Sequence, residues 1–322
     1  MVIVSMGWML AAPGTGFSSG TCAIETDQAS FRRPAPISFK EMSSSQRDNV
    51  VDFSRMSEAV YHDSFQAFIG TTGITWERIA HTDFEKESQW FMNLNTSGLK
   101  WDLFEGHSAN GERVRVVAFA GTDITHVNAR DAMTDIYQLW ALPAQYWEAL
   151  QIAKQVSEYT AREPGVKLYF TGHSLGGGLA QFVALVSKTK AIVFNSAGLG
   201  VAASVLQRFI PNDHREAASV NITNVGMKGE LVHQVGLQLG QPVELAPPPG
   251  VSRNPVTLHG QGVMVKTITR EWEQVKANTI LKELSLPSVN KPIGGVSIDP
   301  EVSFEPANLG ETRERILRGM KQ

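Results

Sequence analysis

The chain has 322 residues, 42% hydrophobic and 19% charged, with a formal net charge of -3. That is ordinary globular composition, with no basic footprint for a nucleic acid and enough length for one large α/β domain with tails. The lone Cys22 cannot staple the fold or build a thiolate metal site, and no apolar run approaches the roughly 20 residues of a membrane-spanning helix.

Residues 1–47 are rich in Gly, Ser, Pro and Thr and read as a tail or a loosely docked arm. Val2 to Pro13 is mildly apolar, but no Lys or Arg precedes Arg32, so a flexible leader is expected rather than a secretory signal. Ser43-Ser44-Ser45 caps a predicted helix, in which Val51, Phe53, Met56, Ala59 and Val60 recur at helical spacing. That helix is expected to cover a sheet edge. Ile74 to Ile79 and Lys100 to Glu105 read as strands, and Ser108-Ala109-Asn110-Gly111 as a hairpin turn. Arg113 to Ala120 starts alternating and becomes wholly apolar, the pattern of a strand inside a sheet.

Ala132 to Trp140 and Gln145 to Tyr159 read as helices separated near Pro143. Trp140, Leu142, Pro143, Tyr146 and Trp147 make an aromatic-rich stretch that serves either as a short lid or acyl-pocket wall, or as a buried helix–loop junction. Gly165 to Thr171 is a strand, Gly177 to Val186 an apolar helix, and Ala191 to Asn195 another short strand. Ala202 to Phe209 reads as a helix, Asn212 to Arg215 as a solvated turn, and Ser219 to Val225 and Val243 to Leu245 as strands. A last helix is expected over Val263 to Leu284, with Val265, Ile268, Trp272 and Val275 on one face. Three regions follow: an arm over 1–47, a globular domain over 48–286 and a tail over 287–322. Strand–helix alternation through the middle predicts an α/β fold, a mostly parallel or mixed central sheet with helices on both faces.

Between a strand and a helix lies Gly172-His173-Ser174-Leu175-Gly176. A serine on so sharp a turn is exposed to attack chemistry, and side chains at the flanking glycines would crowd the strand or the helix. The helix N-terminus aims N–H groups and partial positive charge at the place where an oxyanion would form. The plain alternative is a Gly-rich turn that carries a serine by chance. His173 has its own plain reading, packing and turn support.

Phe119-Ala120-Gly121-Thr122, Gly172-His173-Ser174-Leu175-Gly176-Gly177 and Phe194-Asn195-Ser196-Ala197-Gly198 together resemble the class-3 (fungal-type) lipase family of α/β-hydrolases, over roughly residues 48–284. The resemblance implies an α/β-hydrolase fold and hydrolysis of carboxylic esters, commonly acylglycerols or phospholipids, through an acyl-enzyme. It favours an extracellular or exported enzyme working on lipid, at a membrane or an emulsion surface. Three features depart from the family. Ala120 stands where an arginine is usual, the connection before the serine strand leaves little room for a long lid, and no disulfide is available. The chain therefore looks closer to compact bacterial members. Some of those are phospholipase effectors, which implies an immunity protein as an alternative partner.

A serine hydroxyl needs a base within hydrogen-bond reach, and the base needs an orienting acid. In α/β-hydrolases the chain order is Ser, acid, His, which leaves His214, His233 and His259. The resemblance points to His259. It also places the acid just past the Ser219 to Val225 strand, where Glu230 stands instead of the usual Asp, with Asp213 the alternative. The oxyanion donors expected are the Leu175 N–H and, by resemblance, the Thr122 N–H; the plain reading of Thr122 is a turn cap. By the same resemblance Asp135 matches an acidic residue near the lid hinge, and it is expected to support the oxyanion loop rather than to join the triad. No metal or organic cofactor is called for.

Overall fold

A computed structural model of the chain describes residues 34–62, 67–79, 97–107, 111–121, 143–199, 210–234 and 236–285. The chain divides into two units, Met1–Lys276 and Ala277–Gln322. Described residues of the second are 277–285, helical throughout.

Among the described residues of the first unit, nine strands form one sheet. They are β1 (Ile37–Ser38), β2 (Ala67–Ile69), β3 (Thr75–Ile79), β4 (Trp101–His107), β5 (Arg113–Phe119), β6 (Lys167–His173), β7 (Lys190–Phe194), β8 (Ile222–Met227) and β9 (Gln241–Leu245). Their order is β1-β9-β8-β7-β6-β5-β4-β3-β2. From β2 to β5 neighbours run antiparallel, and from β5 onward to β1 they are parallel. Strands β4 and β5 pair antiparallel from His107↔Arg113 to Trp101↔Phe119, while residues 108–110 of the expected turn lie outside the described residues.

The apolar run of β5 explains why both faces are covered. Val116 and Ala118 point into one core with Val50, Val51, Phe53 and Met56 of α1 (Ser44–Ala59) and with Met264 and Ile268 of α6 (Gln261–Ser285). Val117 and Phe119 point the other way. They join Ile152 and Val156 of α2 (Pro143–Ala161), Leu179 and Val183 of α3 (Leu175–Ser187) and Ala218 of α4 (Asn212–Asn221). A short α5 (Pro255–His259) precedes α6. This is the mixed sheet with helices on both faces expected from the strand–helix alternation, and it agrees with the α/β-hydrolase fold that the resemblance implies.

Local chemistry sets the helix ends. The Ser43 hydroxyl accepts from the Gln46 N–H at 3.3 Å and the Gln46 side chain accepts from the Ser43 N–H at 2.9 Å, a reciprocal cap that starts α1. Pro143 is the first described residue of α2, a place where its missing N–H costs nothing, and the helix expected over Ala132 to Trp140 lies outside the described residues.

Three expectations change. Helix α1 lies across β5, β6 and β7, the middle of the sheet rather than an edge, because its apolar stripe is wide enough to bury on a flat surface. Residues 212–221 are a helix where a turn and the start of a strand were expected. Only Ala218 is buried there, so the apolar spacing that signals a helix is missing. Within the predicted arm, Ile37 pairs with Val243 and Phe39 and Met42 enter the core, so ordered structure starts ahead of residue 48.

Far from the carboxyl ends of the parallel strands, Glu105 accepts from Arg113 and Arg115, each at 2.6 Å, and Glu163 bonds both arginines from the other side. Arg115 is fully buried, its guanidinium 4.1 Å from the Tyr159 ring centroid. Burial pushes the Glu105 pKa up, but hydrogen bonds and charge from the two arginines outweigh it and hold the carboxyl below its ordinary range. A depressed folded pKa means that the unfolded chain takes up the proton first. The cluster's contribution is therefore present above the ordinary glutamate value of about 4.3 and is lost as pH falls through the folded one. Thermal melts should show the midpoint falling on acidification below that value, and Glu105→Gln should flatten this part of the profile.

Candidate active site

The turn after β6 has a backbone suited to its place. Ser174 sits at φ 57° and ψ -127°, between the last residue of β6 and the first of α3. A serine held at positive φ costs on the order of 1–3 kcal/mol, so the surroundings must enforce it. They do so through the main chain. The Ser174 N–H donates to the Phe194 carbonyl at 3.2 Å, and the Ser174 carbonyl accepts from the Ala197 N–H at 2.9 Å and the Gly178 N–H at 3.2 Å.

The flanking glycines are needed for space. A Cβ on Gly172 would lie 2.5 Å from the Gly176 carbonyl carbon, and one on Gly176 would fall onto the Phe119 carbonyl oxygen at the end of β5. These neighbours are main chain and cannot swing aside. Gly176→Ala should therefore destabilise the protein by about 3 kcal/mol or more. A urea titration read by circular dichroism would show the loss as a lower midpoint.

His259 is presented by α5. The Asn254 side chain caps that helix by accepting from the Val256 N–H at 2.9 Å, and Pro255 occupies its first position. The imidazole Nε2 lies 2.8 Å from Ser174 Oγ, and both residues are buried. Nδ1 lies 2.9 Å from Glu230 Oε1, within ion-pair reach, although the N–H axis does not point squarely at that oxygen. Such angles commonly tighten once a substrate is bound. With the Nδ1 proton facing a carboxylate, Nε2 keeps its lone pair for the serine hydroxyl.

Glu230 follows Gly229, which takes φ 87° and turns the chain back after β8. Its carboxylate folds onto the next turn. Oε1 accepts from the Val232 N–H at 2.6 Å and Oε2 from the His233 N–H at 2.7 Å. That fold-back absorbs the methylene by which Glu exceeds Asp. The side chain is 1% exposed, so the two N–H groups and the imidazole replace its water.

The structure thus brings together Ser174, His259 and Glu230. Leu175 is the first residue of α3, so its N–H belongs to the helix-terminal set that has no intrahelical acceptor. Thr122, Asp135, Trp140 and Leu142 lie outside the described residues. Gly121, just before Thr122, donates its N–H to the Tyr61 hydroxyl at 2.6 Å, and a Cβ on it would lie 3.1 Å from Ser174 Cβ. The end of β5 therefore abuts the serine turn, held by a tyrosine that no motif had singled out.

Asp213 is not brought to the site. It is an exposed ion-pair partner of Lys188, whose hydrogen bond holds its carboxyl below the ordinary range. Lys188 caps the far end of α3 from Ser174, roughly 20 Å along the helix at about 1.5 Å per residue. His214 sits at that same end, with Nδ1 3.3 Å from the Leu185 carbonyl. His233 lies on the acid's other side, its ring filling the space a side chain at Gly226 would need. His173 is buried, and burial first, then the neighbouring His259, push its pKa well down. In the aromatic stretch, Tyr146 is buried with its ring centroid 5.2 Å from that of Phe182, whereas Trp147 is 66% exposed.

Residues 52–278 match the family model described as Phospholipase-like, Tle-like phospholipase domain. The chain is 35% identical over 97 residues to a protein of Serratia liquefaciens described as extracellular phospholipase A1. That span is 30% of this chain and 28% of the relative, so the chain spans less than a third of the curated relative's length. Among solved structures it is similar to a mutant form of MDLA from Penicillium cyclopium. There the identity is 17%, the TM-score 0.38, and the match covers 66% of this chain and 83% of the other. It is also similar to the Rhizomucor miehei lipase propeptide complex, at 14% identity and TM-score 0.38, over 60% of this chain and 64% of that one. Matched over more than half of its length, and in keeping with the lipase-like resemblance of its motifs, the chain belongs to the family of Tle-like phospholipase domains.

Proposed function

We propose that this protein hydrolyses carboxylic esters of lipids, with the acyl esters of phospholipids as its favoured substrates. The observation that carries the reading is the unbroken contact chain from Ser174 Oγ to His259 Nε2 and from His259 Nδ1 to Glu230 Oε1. Such a chain turns a poor nucleophile into a reactive one. Ser174 Oγ attacks the ester carbonyl while His259 Nε2 takes its proton. The Leu175 N–H, with the Thr122 N–H that the resemblance adds, holds the oxyanion, each donor lowering the barrier by about 2.7–4 kcal/mol. His259 then gives the proton to the departing alcohol, leaving an acyl-enzyme. Water, activated by the same imidazole, releases the fatty acid and restores Ser174.

The family description and the Serratia relative's name support phospholipid over triacylglycerol. Phosphatidylcholine vesicles should yield lysophospholipid and free fatty acid in equal amounts, faster than a triolein emulsion yields fatty acid. Mass spectrometry of the lipid extract reads both products. Fatty acid from triolein alone would move the assignment to an acylglycerol lipase. An antibacterial effector with an immunity partner is a narrower form of the same chemistry. It predicts that export of the wild type, and not of Ser174→Ala, to the periplasm of a sensitive cell stops growth.

A further inference from the structure

His259 ends a helix of five residues, too short to hold its own shape in water. The direction of its imidazole therefore depends on what holds that helix from outside. Its last carbonyls are held by two buried side chains from other strands. Asn195, directly after β7, donates through Nδ2 to the Leu258 carbonyl at 2.9 Å and reaches the His259 carbonyl at 3.5 Å. His173, the last residue of β6, has Nε2 2.6 Å from the same His259 carbonyl.

The other end of the Asn195 amide reaches the acid. Its Oδ1 accepts from the Met227 N–H at 2.9 Å, and the Met227 carbonyl in turn accepts from the Glu230 N–H at 3.1 Å. The amide's orientation is fixed by chemistry, since Met227 N–H can only donate and the Leu258 carbonyl can only accept. By the same logic His173 carries its proton on Nε2. Asn195 is fully buried and sits at φ 37°, a conformation that Asn tolerates better than most residues. One side chain thus spans the turn that bears Glu230 and the helix that bears His259.

We infer that Asn195 and His173 are positioning residues that hold base and acid in register with Ser174 while touching none of the reacting atoms. The inference rests on the triad reading above. A purely structural role predicts lower stability with an unaltered site. A positioning role predicts a changed site in protein that is still folded.

The test uses p-nitrophenyl butyrate, with folding of each variant checked by circular dichroism at the assay temperature. Asn195→Asp keeps Oδ1 for Met227 but turns an oxygen toward the Leu258 carbonyl. Its kcat should fall about 100-fold with KM little changed, as expected of misplaced reacting groups. His173→Gln, which keeps a donor toward the His259 carbonyl, should retain clearly more activity than His173→Phe. If Asn195→Asp does not fold, the His173 pair decides. Folded Asn195→Asp or His173→Phe with wild-type kcat would overturn the inference and leave the triad standing. Wild-type turnover that does not depend on Ser174 would overturn the triad and the inference with it.

Discussion

Ser174→Ala is expected to lower kcat for ester hydrolysis by about 10⁶-fold while leaving the fold intact. The loss is large because serine and base act as one unit. Without Oγ, His259 Nε2 has no hydroxyl to deprotonate at 2.8 Å, and no acyl-enzyme can form. The residue that remains is small and buried, and although His259 Nε2 loses its hydroxyl partner, the packing around it is unchanged. Donors at the α3 N-terminus would still polarise a bound ester, so a residual rate of about 10³–10⁴ over water is expected rather than none. Combining Ser174→Ala with His259→Gln should cost almost nothing more, since the second change removes a partner with no remaining task. Steady-state kinetics on p-nitrophenyl butyrate, with thermal melts as the control for folding, reads both.

Glu230→Gln should lower kcat about 10⁴-fold, the effect of presenting the base in the wrong tautomer. In the wild type Oε1 accepts from the Val232 N–H and lies 2.9 Å from the imidazole Nδ1, while Oε2 accepts from the His233 N–H. A carboxamide offers one accepting oxygen and one donating NH₂. If its oxygen takes the Oε2 place and serves the His233 N–H, its NH₂ faces the Val232 N–H and the imidazole, and Nδ1 must accept. The ring proton then moves to Nε2, where it opposes the serine O–H. If its oxygen serves the imidazole, a buried N–H faces a donor and about 1–3 kcal/mol of stability is lost. Either outcome is measurable, the first by kcat and the second by a melt. Asp213→Asn, in the exposed ion pair with Lys188, should leave kcat within error. An effect of Asp213→Asn comparable to that of Glu230→Gln would reverse the choice of acid.

Much of this architecture was legible in the sequence because burial writes a regular pattern. The strands over 101–107, 113–119, 167–173 and 190–194 carry apolar runs bounded by turn residues, and α3 is buried from Leu175 to Leu185. The glycines around Ser174 pointed to the nucleophile, and chain order left three histidines, of which the resemblance pointed to His259. What stayed hidden leaves no period. Helix α4 buries a single apolar residue, and β1 and β2 are two and three residues long. The polar core is also invisible to apolar spacing. Gln181, Ser196, Asn224 and Gln238 are buried together in one network, with Gln181 Oε1 accepting from the Leu239 N–H at 2.7 Å. Asn195 and Tyr61 act through partners far away in the chain, so their tasks appear only once the sheet is assembled. The resemblance pointed to Glu230, but its reach depends on the fold-back onto Val232 and His233, a feature of the turn and not of residue type.

The central claim is that Ser174 is a nucleophile activated by His259, and covalent capture tests it most directly. After incubation with a fluorophosphonate probe and proteolysis, mass spectrometry should find one adduct, on the peptide containing Ser174. The adduct should be absent in Ser174→Ala and should form far more slowly in His259→Gln. A folded wild-type protein that acquires no adduct, or acquires it elsewhere with Ser174 unmodified, would contradict the account.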